Sequence, residues 1–182
     1  MNILRALLFA WVTCIAFGAA KADTGQRFIS IAFHDVVDKP DDLDLDAVTS
    51  DRLVAFFDFL KGDGWTAITL DDVARARSGE KPLPRKAILL SFDDGYSSLY
   101  TRVFPLLLAY RFPAVAALVG EWLDAPMDST VIYSEQSVPR SNFISWDQAR
   151  EMKASGLVEF ASHSFAQHKA IASNPQGHVE PA

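Results

Sequence analysis

The sequence predicts an α/β fold in which parallel β-strands alternate with helices. Five short apolar runs lack the polar–apolar alternation of a strand with one solvated face, which indicates strands buried on both faces. Amphipathic or capped helical segments separate these runs, as in βαβ units. Polar residues directly follow several runs, where the carboxyl ends of parallel strands collect functional groups. This placement suits both a closed barrel and an open doubly wound sheet.

Each predicted element has a local justification. Regularly spaced apolar residues predict the first helix. Thr69 with Asp72, and Ser145 with Gln148, form capping-box patterns that start the second and fourth helices. Pro105 is expected to kink or interrupt the third helix. The five strands are predicted at residues 27–33, 66–69, 87–92, 114–119 and 157–161. The four helices are predicted at residues 51–61, 69–77, 98–110 and 145–156.

Two connections between the predicted elements are expected to be loops. Residues 40–46 form an acidic loop, and residues 121–143, which include Pro126 and Pro139, form a long irregular loop. No internal repeat or low-complexity tract is apparent in the sequence.

The first 22 residues are predicted to be a secretory signal peptide, with residues 23–182 as the folded part. Arg5 supplies the positive charge, residues 6–17 the apolar stretch, and Ala20-Lys21-Ala22 the small-residue cleavage pattern. An uncleaved membrane anchor is the alternative, for which the stretch is short. Cys14 lies inside the apolar run rather than after it, which argues against a lipid anchor.

The composition is that of one ordinary globular domain. The chain has 182 residues, of which 49% are hydrophobic and 22% charged. Signal cleavage would change the formal net charge from −6 to −8, because it removes Arg5 and Lys21. It would also remove the only cysteine. The acidic balance argues against nucleic-acid binding.

Two motifs carry the chemistry that we expect. Asp93-Asp94-Gly95 follows the strand at 87–92, and Ser162-His163-Ser164, with His168 close behind, follows the last strand. One carboxylate and two imidazoles make a facial metal site with open positions, and the second carboxylate is free to act as a base. Together they indicate metal-assisted hydrolysis. Each motif alone could be a plain turn or a surface loop.

The combination resembles the polysaccharide deacetylase family, the carbohydrate esterases with a NodB-homology domain. Ser91-Phe92-Asp93-Asp94-Gly95 matches the first family motif, and His163-Ser164 with His168 matches the second. The resemblance implies an incomplete (β/α) barrel of about five parallel strands. It also implies that Asp93 is the catalytic base. Asp94, His163 and His168 would then bind a divalent metal, such as zinc, nickel, cobalt or iron.

The spacing of the histidines points to one branch of this family. They are five residues apart here, whereas four is usual in the family. This spacing, together with Phe33-His34-Asp35-Val36 and Ile144-Ser145-Trp146, resembles the exported poly-β-1,6-N-acetylglucosamine N-deacetylases of bacterial biofilm systems. The implied partner is an acetylated glucosamine polymer, and the implied location is the periplasm, with outer-membrane association or contact with export machinery. Deacetylation of peptidoglycan, chitin or xylan is the alternative.

Two further residues are weaker candidates for the wall of the site. His34 ends the first strand and could lie near the metal or only hydrogen-bond neighbouring loops. Trp146 could stack on a sugar ring or serve as a core or helix-start aromatic residue.

Only 14 residues follow His168, and the later motifs of the family cannot be identified among them. We therefore expect an N-terminal part of a longer deacetylase domain, without a C-terminal partner domain. A non-catalytic glycan-binding or inactive fragment is the rival from a different functional class.

Overall fold

The structure is a computed structural model, and it describes residues 26–42, 46–133, 136–168, 170–172, 174–176 and 179–181. The predicted signal peptide and Cys14 lie outside the described residues. The strands, in chain order, are β1 Phe28–Phe33, β2 Asp35–Val37, β3 Ala47–Thr49, β4 Thr66–Ala67, β5 Ala87–Asp94, β6 Ala114–Val119, β7 Thr130–Tyr133, β8 Gln136–Pro139, β9 Val158–Ser164, β10 Ala170–Ala172 and β11 Val179–Pro181. The α-helices are α1 Ser50–Gly62, α2 Leu70–Ser78, α3 Phe104–Tyr110, α4 Gly120–Asp124 and α5 Trp146–Ala154.

The α/β prediction is confirmed by a five-stranded sheet in which every pairing is parallel. The strand order is β1-β5-β6-β9, and the short β4 pairs with the beginning of β5. The two outer strands, β1 and β9, each pair with one sheet neighbour among the described residues. The carboxyl ends of β5 and β9 lie on either side of β6, so the residues that follow them are brought to one edge of the sheet.

Both faces of the central strand β5 are covered, as its non-alternating apolar sequence predicts. Ile88, Leu90 and Phe92 belong to the main core, which also contains side chains from α1 such as Phe57. Leu89, on the other face, packs in a smaller cluster completed by Ile68, Ala87 and Val115. Since successive side chains of a strand point to opposite faces, Ser91 and Asp93 follow on the face of Leu89.

The local signals for the helices are also confirmed. Both predicted capping boxes are formed at the starts of α2 and α5. The third helix is interrupted as Pro105 predicts: a π-helical segment, Leu99–Val103, precedes α3, and Pro105 lies in the first turn of α3. Among the described residues, no helix combines the length and apolar character needed to cross a membrane.

The prediction that residues 121–143 form an irregular loop is wrong. They contain most of α4, the antiparallel hairpin of β7 and β8, and a 3₁₀ turn at Arg140–Asn142. These short elements are held by tertiary contacts, which local propensity does not report. A parallel pairing of β2 with β3, ahead of α1, was likewise not predicted.

Candidate metal centre

The turn after β5 places Asp94 in an uncommon backbone conformation. Asp94 has a φ of 69° and Gly95 a φ of 80°, so two successive residues are left-handed. Asp and Gly are among the residues that tolerate this region. A Cβ atom on Gly95 would lie only 2.9 Å from Cδ2 of Leu118, so any larger residue would also have to displace the Leu118 side chain. The result is a sharp turn that directs the Asp94 carboxylate into the protein, where the side chain is fully buried.

A register shift in the sheet places His163. In the pairing of β6 with β9, Leu118 opposes Ser162 and Val119 opposes Ser164, so His163 is the extra residue of a bulge. Bulges commonly redirect a side chain beside a functional site. Beyond β9, the backbone N–H of Glu121 donates to the carbonyl of Phe165 at 2.8 Å, which ties the loop between the two histidines to α4.

Asp94, His163 and His168 converge on one point. One potential ligand atom from each lies within 4.8 Å of the other two. The Nε2 atoms of His163 and His168 are 3.6 Å and 3.1 Å from the same Oδ1 atom of Asp94. Neither contact has hydrogen-bond geometry, and both buried Asp94 oxygens lack a hydrogen-bond partner within the described part of the chain.

The two Asp94 oxygens without hydrogen-bond partners among the described residues show whether the site suits a metal ion. A buried carboxylate without donors carries a large desolvation penalty, and buried polar groups are otherwise nearly always satisfied. A divalent cation facing one carboxylate and two imidazoles would satisfy all three side chains. The residues present therefore fit a divalent metal, and the oxygen and nitrogen donors suit zinc, nickel, cobalt or iron.

The electrostatics around Asp94 lead to the same interpretation. Burial raises the pKa of the Asp94 carboxyl, and the neighbouring Asp93 adds to this effect. The charges of His168, His163 and His34 oppose it, in that order of size. A bound dication would add a larger opposing charge and keep the carboxylate ionised.

Asp93 has a different environment from its neighbour. It is half-buried on the face of the sheet that carries Leu89, and its Oδ1 atom accepts a hydrogen bond from Ser91 Oγ at 2.5 Å. The other carboxylate oxygen receives no such bond from the described residues. Two adjacent carboxylates thus occupy distinct positions, one fully buried beside the histidines and one partly exposed.

An aromatic wall, which the sequence did not predict, surrounds His168. The ring of Tyr133 stacks on its imidazole at 5.2 Å, and Trp122 meets it edge-on at 4.9 Å. Phe143 packs on Trp122 at 4.6 Å and on Tyr96 at 5.2 Å. These rings fix the orientation of His168 and shield one side of the site from water. Trp122 and Tyr133 come from the segment that was predicted to be irregular.

The two weaker candidates have different surroundings. His34 lies half-buried between β1 and β2, close enough to Asp94 for its charge to affect that carboxyl. Trp146 is the first residue of α5, as the helix-start interpretation predicts, and 41% of its surface is exposed, so it lies outside the core. Its indole Nε1 donates to Asp124 Oδ1 at 2.8 Å. No hydrogen bond or ring contact among the described residues joins Trp146 to the three candidate ligands.

A polar cavity is lined by residues that are close in sequence to His34 and Asp94. Asp35 directly follows His34, and Tyr96 is two residues beyond Asp94, and both line the cavity. Arg102 also lines it and binds the carboxylate of Asp38 through two nitrogens, at 2.8 and 2.9 Å. Such a mixture of carboxylate, guanidinium and aromatic groups can contact a hydroxyl-rich ligand.

Comparison with protein-family models gives one match. Residues 80–180, more than half of the chain, match the model of the polysaccharide deacetylase family. This interval contains both predicted motifs and the aromatic wall.

Individual relatives agree with this match. The chain is 42% identical over 154 residues to a poly-β-1,6-N-acetyl-D-glucosamine N-deacetylase of Escherichia coli K12, and the match covers 85% of this chain but 23% of that protein. Among solved structures, a de-N-acetylase from Aggregatibacter actinomycetemcomitans aligns with a TM-score of 0.80 at 38% identity. A deacetylase domain from Bordetella bronchiseptica aligns with a TM-score of 0.72 at 40% identity. Each structural match covers 85% of this chain and 61% of the solved one.

Proposed function

Because this chain belongs to the polysaccharide deacetylase family, we propose that it provides the catalytic metal centre of an enzyme that removes N-acetyl groups from a β-1,6-linked N-acetylglucosamine polymer. The observation that carries the proposal is the convergence of buried Asp94 with His163 and His168, next to the more open Asp93. The relative from E. coli, named for this reaction, supports the choice of substrate.

In this proposal Asp94, His163 and His168 hold the metal. A divalent ion in such a site acts as a Lewis acid and lowers the pKa of water. The chain itself contributes rigidity: the left-handed turn fixes Asp94, the bulge fixes His163, and the aromatic wall fixes His168. A site whose ligands are fixed in advance needs little reorganisation when substrate binds.

Asp93 is proposed as the general base. Ser91 Oγ binds one of its oxygens and leaves the other to accept a proton from the attacking water. Attack of the water oxygen on the acetamide carbonyl would form the new C–O bond. Transfer of the proton from Asp93 to the nitrogen as the C–N bond breaks would release acetic acid, which ionises to acetate, and leave a free amine on the sugar. Each deacetylated unit then carries a positive charge at neutral pH, which changes the polymer from neutral to cationic.

Export to the periplasm is part of the proposal. It rests on residues 1–22, whose charge and apolar pattern fit a signal peptide. A biofilm polysaccharide assembled outside the cytoplasm would meet the enzyme there, together with export machinery or the outer membrane. His34 and Trp146 are proposed to contact the polymer near the metal, and the cavity lined by Asp35 and Tyr96 offers room for a neighbouring sugar.

A chimaera would test this function. Residues 28–168 would replace the matching segment of the E. coli relative, with the unmodified chain tested in parallel. We expect the metal-loaded chimaera to release acetate from poly-β-1,6-N-acetylglucosamine faster than from acetylated xylan, chitin or peptidoglycan. The same chimaera with Asp93→Asn should keep its metal and be nearly inactive.

The alternatives correspond to other outcomes of the same assay. Preference for a different acetylated glycan would refute the proposed substrate. A folded, metal-loaded chimaera without activity on any of them would favour the non-catalytic interpretation of this segment. The chain spans 61% of the solved deacetylase chains that it matches, and its metal binding and turnover are measured beside those of the chimaera.

A further inference from the structure

Arg140 is a buried cation that the proposed chemistry does not use. Only 1% of its surface is exposed. Its Nη1 donates to the carbonyl of Phe143 at 3.0 Å, and its Nη2 donates to the carbonyls of Leu123 and Ile144 at 3.1 and 2.9 Å. No carboxylate of the described residues forms an ion pair with it, and burial lowers the pKa of its guanidinium, with the charge of Asp124 opposing this.

The first connection from Arg140 runs to Asp94. The N–H of Ile144 donates to the carbonyl of Gly95 at 2.9 Å, so the segment that Arg140 holds is bonded directly to the left-handed turn. Side-chain atoms of Ile144 and Leu123 also lie 3.6 and 3.8 Å from the position that a Cβ on Gly95 would occupy. Two of the three residues whose carbonyls Arg140 binds therefore pack against the turn that orients the Asp94 carboxylate.

The second connection runs to His168. Leu123 is the neighbour of Trp122 in α4, and the Trp122 ring meets the His168 imidazole at 4.9 Å. Phe143, whose carbonyl Arg140 also binds, packs its ring at a tilt against Trp122, with 4.6 Å between the ring centroids. One guanidinium thus fixes both the end of α4 and the ring that braces Trp122.

We propose that Arg140 is a positioning residue for the metal centre. This inference rests on the proposed function of Asp94 and His168 as metal ligands. Its planar fork joins three carbonyls from two separate segments, α4 and the residues after β8. A lysine ammonium at the same position keeps the charge but cannot reproduce the fork geometry. An apolar side chain would leave the three carbonyls without these donors. In either case the turn at Asp94 and the aromatic wall around His168 lose the hydrogen bonds that hold their supporting segments together.

The test is a Co²⁺ titration of the purified chain, read by the visible spectrum of the bound ion and by competition with a chelating dye. We compare wild type with Arg140→Met and Arg140→Lys. Arg150→Met is the matched control, because Arg150 is an exposed arginine that binds Asp147. Leu53→Ala, in the core at α1, controls for a general loss of stability. Unfolding of each protein is followed by circular dichroism.

We expect Arg140→Met to bind Co²⁺ at least about tenfold more weakly, with a changed spectrum, since residues that orient metal ligands typically affect affinity by about 10–100-fold. Arg140→Lys should be intermediate. Arg150→Met and Leu53→Ala should match wild type at temperatures where they are folded. Loss of stability alone would lower the melting temperature of Arg140→Met and Leu53→Ala without changing either spectrum.

A folded Arg140→Met with wild-type affinity and an unchanged spectrum would overturn the inference. If Arg140→Met does not fold, Arg140→Lys is measured instead, and a wild-type affinity for Co²⁺ with an unchanged spectrum would again overturn the inference. If neither folds, Phe143→Leu, which removes the ring that braces Trp122, decides by the same criterion. Failure of wild type itself to bind Co²⁺ would instead overturn the proposed function and the inference with it.

Discussion

Replacing Asp94 by Asn should make the protein more stable than wild type without metal and less stable than wild type with metal. Asn keeps the size of the side chain and tolerates the left-handed φ of 69°. It removes a buried negative charge whose two oxygens have no hydrogen-bond partner among the described residues. Leaving a buried group unsatisfied costs about 1–3 kcal/mol, and more when it is charged. We therefore expect the metal-free variant to be more stable than wild type by about 1–2 kcal/mol.

The assay is thermal unfolding at pH 8, with chelator and then with Zn²⁺ or Co²⁺. For a domain of this size, the expected gain without metal corresponds to roughly 3–6 °C. Saturating metal, at about one hundred times its Kd, should stabilise wild type by about 2.7 kcal/mol and the variant hardly at all. Asp93→Asn is the matched control and should follow wild type in both conditions, because Asp93 is more exposed and hydrogen-bonded to Ser91.

The pH dependence of this difference has a defined sign. Burial raises the pKa of Asp94 in the folded state, so this carboxyl favours folding only while it is protonated. As the pH rises through that raised pKa, metal-free wild type should lose stability relative to Asp94→Asn. At lower pH the two proteins should converge. A metal-free Asp94→Asn variant that is less stable than wild type at pH 8, or an equal response of both proteins to metal, would refute this reasoning.

Three shorter predictions follow from other residues. Asp93→Asn in the active chimaera should lower turnover by about 10²–10⁴-fold at unchanged metal content, measured by acetate release and metal analysis; loss of the metal instead would reassign its role. Gly95→Ala should lower stability by at least about 1–2 kcal/mol, from its φ of 80° and its contact with Leu118, and a melting temperature equal to wild type would contradict this. Asp72→Ala should cost about 0.3–1.5 kcal/mol at pH 7 in denaturant unfolding, because it removes the N3 partner of the capping box. The hydrogen bond from the backbone N–H of Thr69 lowers the pKa of Asp72. The loss of stability in Asp72→Ala should therefore shrink as the pH falls through that lowered pKa. A loss that does not change with pH would contradict this prediction.

The parts of the fold that could be predicted are those with strong local signals. The strand at 114–119 was predicted with its observed bounds, because a buried apolar run between turns leaves little ambiguity. Capping boxes located the starts of α2 and α5 for a similar reason. A site of one carboxylate and two imidazoles could be proposed because parallel strands end at one edge of a sheet, and the family resemblance assigned Asp94 as the ligand.

The segment at residues 121–143 could not be predicted, because its structure depends on distant partners. α4 has five residues, and the carbonyl of its Leu123 is bound by Arg140 from 17 residues away. The hairpin of β7 and β8 did leave one sequence signal, two short runs separated by two residues. Its connecting residues, Ser134-Glu135, lack the Asn-Gly or Asp-Gly signature that would have identified it. The aromatic wall was missed for the same reason.

The central claim is that Asp94, His163 and His168 form a divalent metal site. Its most direct measurement is the metal content and affinity of the purified chain and of His163→Ala, His168→Ala and Asp94→Ala variants, after removal of adventitious metal and reloading with Zn²⁺ or Co²⁺. The account predicts one ion per wild-type chain and loss of tight binding in each of the three variants, while all of them remain folded. A folded wild-type chain that binds no ion, or variants that all retain it with unchanged affinity, would contradict the account.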